Sequence, residues 1–267
     1  MGRSSAFVVA AVLVLASAVA RADDTNVAFD AEVPGLAGRA WIELLRQLVP
    51  DLKVDPAGGD HNAKGSLDKP IRLMAGDTEA GGDKSAIDLT SLNAVRIDID
   101  GRPRWLVLGE QDGFGPAPLM LFEAEGRGKL LDAVDVVADM HTSMDSAGPL
   151  ALGGGASVIG IRNWHDNSGQ SFDDLKLVLI AKDRFSLIQD SGAQGERDAK
   201  VQTSEGLTFT VRPDPGRPLA RIDVVLEHRK QRLAGDFETK VGKEVVTLTR
   251  TTFRWNAAKG KYERGGR

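Results

Sequence analysis

The stretch NWHDNSGQSF, residues 163–172, gathers two Asn, a His, an Asp, two Ser and a Gln. Side chains of these types can ligate a metal, relay a proton or hydrogen-bond a ligand, so each chemistry is weighed in turn. For a metal, the chain offers His61, His141, His165 and His228, none spaced like the paired His of a zinc-protease helix. The short segments DMH (Asp139, His141) and HDN (His165 to Asn167) converge only if their chain segments meet at one end of the fold. DIDG, residues 98–101, begins like an acidic calcium loop, but Arg102, Pro103 and Arg104 follow where further oxygen ligands belong. No metal set is therefore assigned, and no cofactor signature is found.

Nucleophilic hydrolysis fares no better. In GGASVIGI the Gly that a nucleophile elbow requires two residues after Ser157 is replaced by Ile159. The run Gly153-Gly154-Gly155 lacks the Lys and Ser or Thr of a phosphate-binding loop and leads into a β-type segment instead of a helix. No catalytic residue is identified on these grounds. Recognition is the remaining chemistry: Trp164, His165, Asn167 and Gln170, with His141, are the candidate ligand-binding residues, offering an aromatic face and several hydrogen-bonding groups at a rim between strands. Asn and Asp also close turns on their own backbone. A purely structural connection is thus the competing reading, with Asn163 and Ser171 serving the fold and Trp164, His165 and Gln170 exposed.

The elements that must position these residues follow from periodicity. From Ala94 onward the chain reads as short β-rich runs: AVRIDI, RWLVLG, PLMLFEA, LLDAVDVVA, ASVIGIRN, LKLVLIA, RFSLIQ, LTFTVR, ARIDVVLEH and EVVTLTRTTFRW. Asp100-Gly101, Gly126-Arg127-Gly128 and Lys182-Asp183 are turn signals between successive runs. Connections this short exclude parallel crossovers. The expected fold is mainly β, with antiparallel sheets arranged as a curled meander, a sandwich or a propeller-like set. LMLFEAEGRGKLLDAVDV and LKLVLIAKDRFSLIQD share an order of apolar strand, charged turn and apolar strand, which is the basis of the propeller option. Before the β region, Ala37, Trp41, Leu44, Leu45, Leu48 and Val49 fall on one helical face, predicting an amphipathic helix over about residues 36–49 that docks on the β body and ends at Pro50. The polar stretches 55–69 and 76–85 read as loops around a brief strand at Ile71–Met74.

Composition places the protein. Arg3, an apolar run from Ala6 to Ala20 and Ala20-Arg21-Ala22 have the order of a secretory signal peptide, residues 1–22, with cleavage before Asp23. The run is too short to span a bilayer comfortably, so a soluble periplasmic or secreted mature chain with no membrane span is expected, as a single β-rich domain over 23–267. Removing residues 1–22 takes away Arg3 and Arg21 and no acid, so 34 basic against 38 acidic residues become 32 against 38 and the net charge becomes −6. An acidic surface argues against nucleic acid as partner. With no Cys in 267 residues, neither a disulfide nor a thiol chemistry is possible.

The helix ending in LLRQLVPDL, the central LLDAVDV, the NWHDNSGQSF segment and the terminal FRWNAAKGKYE together resemble uncharacterised exported proteobacterial proteins with an Asn-x-His-x-Asn-Ser-x-Gln-Ser-aromatic segment. The resemblance implies secretion and a β-rich body and brings no activity with it. DIDG followed by LVLG is faintly similar to integrin-type propeller repeats, without their later acidic positions. Two functions follow. One is a non-catalytic periplasmic protein that binds a small ligand, a glycan or an envelope partner through loops at one end of the β body. The other is an exported hydrolase, metal-assisted or not, that uses His141 and His165.

Overall fold

A computed structural model describes residues 26–55, 62–74, 85–111, 113, 115–167, 170–198, 200–235 and 239–265. The expected signal segment, His61 and most of the second polar loop lie outside the described residues. Two sheets make up the fold. The first holds β1 (Asn26–Val27), β2 (Lys53–Val54), β3 (Ala63–Ser66), β4 (Arg72–Leu73), β5 (Ala86–Ile99), β6 (Arg102–Gln111), β7 (Pro118–Glu123) and β8 (Leu130–Asp135). Its spatial order is β2-β3-β5-β6-β7-β8-β4, with β1 also on β5, and only the two-residue β4–β8 pairing is parallel. The second holds β9 (His141–Met144), β10 (Leu150–Gly153), β11 (Ala156–Asn167), β12 (Gln170–Ala181), β13 (Arg184–Arg197), β14 (Val201–Arg212), β15 (Arg221–Leu233), β16 (Lys240–Asn256) and β17 (Lys261–Arg264). From β10 to β17 its spatial order is its chain order, a meander, and β9 pairs with β11.

The protein is mainly β, as the alternation and turn residues predict, and all ten β-rich runs are strands. The turns form where expected: Asp100 and Gly101 (φ 52° and 73°) join β5 to β6, and Lys182 and Asp183 (φ 51° and 57°) join β12 to β13. Paired positive φ values match the right-handed twist of the strands they connect. The propeller option is corrected: the strands lie in two open sheets, not in radial blades, and the two similar stretches are ordinary hairpins, β7–β8 and β12–β13.

The expected helix is also corrected. Within residues 36–49 only α1 (Trp41–Leu45) is α-helical. Gly35 and Gly38 take φ of 85° and 71°, and Val33 donates to the Arg39 carbonyl at 2.8 Å, so the chain before Ala40 is folded into tight turns. Left-handed residues interrupt a right-handed helix. The apolar stripe still does what the pattern requires, because Trp41, Leu44, Leu45 and Val49 are buried, Leu48 partly so, and Ala37 is exposed. Trp41 meets Trp105 edge-on, with ring centroids 5.2 Å apart.

Both faces of the first sheet are covered, which explains why RWLVLG reads as a nearly continuous apolar run. Trp105 and Val107 pack with Trp41, Leu44 and Leu45 on one side. Leu106, Leu108, Leu119 and Leu121 pack on the other, against Ile159, Ile161, Val178 and Ile180 of the second sheet. The second sheet curls so that its other face encloses a further core of Leu175, Leu177, Phe209, Ile222, Val224 and Phe253.

Between the sheets, strand β6 spans a seam that is clamped at one end. The Arg104 guanidinium donates through Nε and Nη2 to the Asp183 carboxylate at 2.8 and 3.0 Å, and the bonded cation holds that carboxyl below its usual range. Nearby, the glycine run 153–155 lets the β10–β11 turn approach the β5–β6 turn, where Asp100 donates to the Gly155 carbonyl at 3.2 Å. A Cβ on Gly155 would sit 2.9 Å from Asp100 Cα. The other end of the seam opens at Glu110 and Gln111. At about 3.3 Å per strand residue, that is some 23 Å from Arg104. Among the described residues no helix is long and apolar enough to cross a membrane.

Candidate functional site

The polar segment 163–172 is not a connection between strands but, apart from its tip, part of the strands themselves, which corrects that expectation. β11 runs on to Asn167 and β12 starts at Gln170, with Asn163↔Asp174, His165↔Phe172 and Asn167↔Gln170 in register. Of the hairpin tip, residues 168 and 169 lie outside the described residues. Successive strand residues point to opposite faces, so the candidate side chains are dealt alternately to two sides of one ribbon.

On the seam face, Asn163 is fully buried and completely bonded. Its Oδ1 accepts from the Ala138 amide at 2.8 Å and the Thr142 hydroxyl at 2.7 Å, while its Nδ2 donates to the Val136 carbonyl at 3.2 Å. Two residues on, His165 directs Nδ1 at Asp139 Oδ2, 2.5 Å away, and stacks on Phe172 with centroids 6.0 Å apart. With Nδ1 donating to that carboxylate, the neutral ring presents Nε2 as its acceptor. His165 is neither fully buried nor bonded to backbone at both nitrogens, which is the arrangement that would have removed a recognition role.

The opposite face carries Trp164, 44% exposed, stacked on His141 of β9 at 4.4 Å and 28°. DMH and HDN therefore do meet, through Asp139 with His165, while His141 stacks on Trp164 just before HDN. His141 and His165 themselves are not brought into one ligand shell, because His141 pairs with Trp164 and His165 is the next residue along the strand. Among the described residues no three His, Asp or Glu side chains are grouped to hold a metal ion.

Trp164 and His141 form one wall of a concavity of about 470 Å³ whose other walls are Asn62, Thr90, Glu110, Gln111, Thr142 and Ser143. It sits where β6 ends and β9 pairs with β11. Gln111 is only 4% exposed, and its Nε2 has no hydrogen-bond partner among the described residues. A buried amide donor left unbonded costs about 1–3 kcal/mol, so a group that would accept from it is expected in a functional state. Beside it, burial raises the Glu110 carboxyl above its ordinary range, opposed by the Ser91 hydroxyl that donates to Oε2 at 2.5 Å. The lining thus combines an exposed aromatic platform, planar amides, hydroxyls and one carboxyl of raised proton affinity.

Asn167 and Gln170 lie elsewhere. Asn167 Oδ1 accepts from the Gln170 amide at 3.1 Å, closing the hairpin, and both residues line a separate polar hollow of about 310 Å³ with Ser171, Glu196, Arg197 and Thr203. The five candidate residues are therefore split three ways: Trp164 with His141, Asn167 with Gln170, and His165 with Asp139. The sequence reading missed Asn62, Thr90, Glu110 and Gln111 altogether. The available signal was LVLGEQ, in which two polar residues close a doubly buried apolar strand. No family model, no curated protein and no solved structure matches this chain.

Proposed function

We propose that this is an exported, non-catalytic binding protein that takes a hydroxyl-rich ligand, a glycan, into the pocket at the open end of the seam. The observation that carries the reading is that one concavity is lined both by the exposed Trp164–His141 stack and by Gln111, whose buried Nε2 has no partner among the described residues. An aromatic face packs against the C–H face of a sugar ring, and side-chain amides and hydroxyls hydrogen-bond its hydroxyls. Glu110 would accept from a further ligand hydroxyl. Export rests on the apolar run 6–20, and protein from the periplasmic fraction should begin at Asp23; an intact Met1 terminus would refute it.

The binding test is titration of the purified protein with neutral and chitin-type oligosaccharides and soluble peptidoglycan fragments, followed by Trp fluorescence and calorimetry. At least one should bind, and Trp164→Ala and Gln111→Leu should each weaken it tenfold or more while the protein stays folded. Binding indifferent to both substitutions, or no binding by any member of the panel, would overturn the reading.

A hydrolase remains the second reading because of one observation, the Asp139–His165 pair at 2.5 Å, which holds an imidazole in the tautomer suited to a general base. It draws on His165 and Asp139, with His141 left on the opposite face. Turnover of any of the same oligosaccharides, abolished by His165→Ala and untouched by Trp164→Ala, would favour it over binding.

A further inference from the structure

Strand β16 is long, and its first part is exposed and, among the described residues, paired along one side only. Its inner edge follows β15 from Ile222↔Phe253 to Leu233↔Lys240. On the outer edge β17 covers Phe253 to Asn256, and Gly265 donates to the Thr252 carbonyl. Residues 240–251 therefore present an outer edge to which no described residue is paired. Every residue from Lys240 to Arg250 is exposed, and Val241, Val245, Val246 and Leu248 are exposed by 39%, 59%, 46% and 62%. Edges of this length and apolarity pair with another strand unless they are guarded.

The guards here stand at the ends. Gly242 at φ 74° and the register shift opposite Lys230 to Arg232 break the edge on one side, Lys240 and Lys243 add charge there, and β17 closes the other. What remains is the window 243–251, KEVVTLTRT, and it is complementary to itself. If two copies run antiparallel about an axis through Thr247, Val246 faces Leu248, Val245 faces Thr249 and Glu244 faces Arg250, each twice. A shift of the pairing by one residue in one direction sets Lys243 against Arg250, and in the other sets Val245 against Arg250. Like charges directly opposite are destabilising, and opposite charges stabilise. Only the Thr247-centred register matches both the apolar and the charged positions. Glu244 is already held by Arg229 of β15 at 3.1 Å, so in that register Arg250 of the second copy would arrive at a carboxylate ordered in advance on the same face.

We propose that the free edge of β16 is a homodimer interface, in which two copies pair β16 to β16 antiparallel about a twofold axis at Thr247 and join their second sheets into one continuous sheet. The interface is isologous, as a twofold axis requires. It is independent of the pocket: Trp164 lies on β11, several strands away.

The experiment is sedimentation equilibrium of the full mature chain over a wide concentration range. A monomer–dimer equilibrium is expected. Glu244→Arg, which sets Arg against Arg250, should raise the dimer dissociation constant at least tenfold, and Glu244→Arg with Arg250→Glu should restore it. Because the chain has no Cys, a single Thr247→Cys should be joined to itself by a short bismaleimide, Val245→Cys should not, and Val245→Cys mixed with Thr249→Cys should. All three Cys variants replace exposed side chains, and their melting curves check that each is folded. A chain monomeric at every concentration overturns the proposal, and so does a dimer that ignores the charge reversal or crosslinks at 245 alone.

Discussion

Asn163 and Gln111 are both buried side-chain amides, 0% and 4% exposed, yet they meet opposite fates. Asn163 finds two donors for its oxygen and a carbonyl for its nitrogen, and it ties the 136–142 segment to β11. Gln111, where β6 ends, has an Nε2 without a partner among the described residues. A complete set of bonds makes the first a fastener. The open donor, beside Trp164 and Glu110, makes the second part of a site. Burial alone does not separate structural from functional polar residues; satisfaction does.

The largest effect that would break this contrast is on stability. Asn163→Ala strands the Ala138 amide, the Thr142 hydroxyl and the Val136 carbonyl, and should cost about 3 kcal/mol in denaturant unfolding. Gln111→Leu removes a group that is already unpaid for and should change stability by less than about 1 kcal/mol, in either direction. Equal losses at the two positions would abolish the distinction.

The second prediction concerns charge on the fastened side. Lys176, 1% exposed, donates to Asp174 at 3.1 Å and Asp190 at 2.9 Å, so one buried cation faces two carboxyls. Burial, with Asp190 adding to it and Lys176 opposing, pushes Asp174 up to about 7. An acid whose folded pKa is raised binds more protons in the native than in the unfolded state. Its contribution to stability is thus full below the ordinary carboxylate range near pH 4 and is lost as pH rises through about 7, with a slope of at most about 1.4 kcal/mol per pH unit. Asp174→Asn should flatten that descent in urea midpoints measured from pH 4 to 8. An unchanged slope would mean that the charge is compensated in another way.

Much of this architecture is legible in the sequence because it is local. Turn pairs at 100–101 and 182–183 and alternation within the runs specify the hairpins, and the Trp41, Leu44, Leu45 stripe specifies a docked face. The length of the helix is not legible from the stripe, since it depends on the backbone signs of Gly35 and Gly38. Nor is the pocket. It joins Asn62, Thr90, Gln111, His141 and Trp164, residues scattered over a hundred positions and assembled only by the order of strands in the two sheets. The polar segment stands out in the sequence but reads as a connection, because Asn, Asp and Ser favour turns in isolation. Cross-strand pairing with β9 and β13 overrides that preference.

The smallest expected effect tests what is left of the turn reading. Asn167 is exposed, and its Oδ1 accepts from the Gln170 amide at 3.1 Å across the hairpin tip. Solvent competes for that amide when the side chain is cut, so nothing is stranded without water, unlike at Asn163. Asn167→Ala should then lower stability by about 0.5–1 kcal/mol. Because Asn167 lines the hollow at the hairpin tip and not the seam pocket, oligosaccharide affinity should be unchanged. A loss of affinity equal to that of Trp164→Ala would move the binding site from the seam to the tip and join the two regions that the alternation of β11 keeps apart.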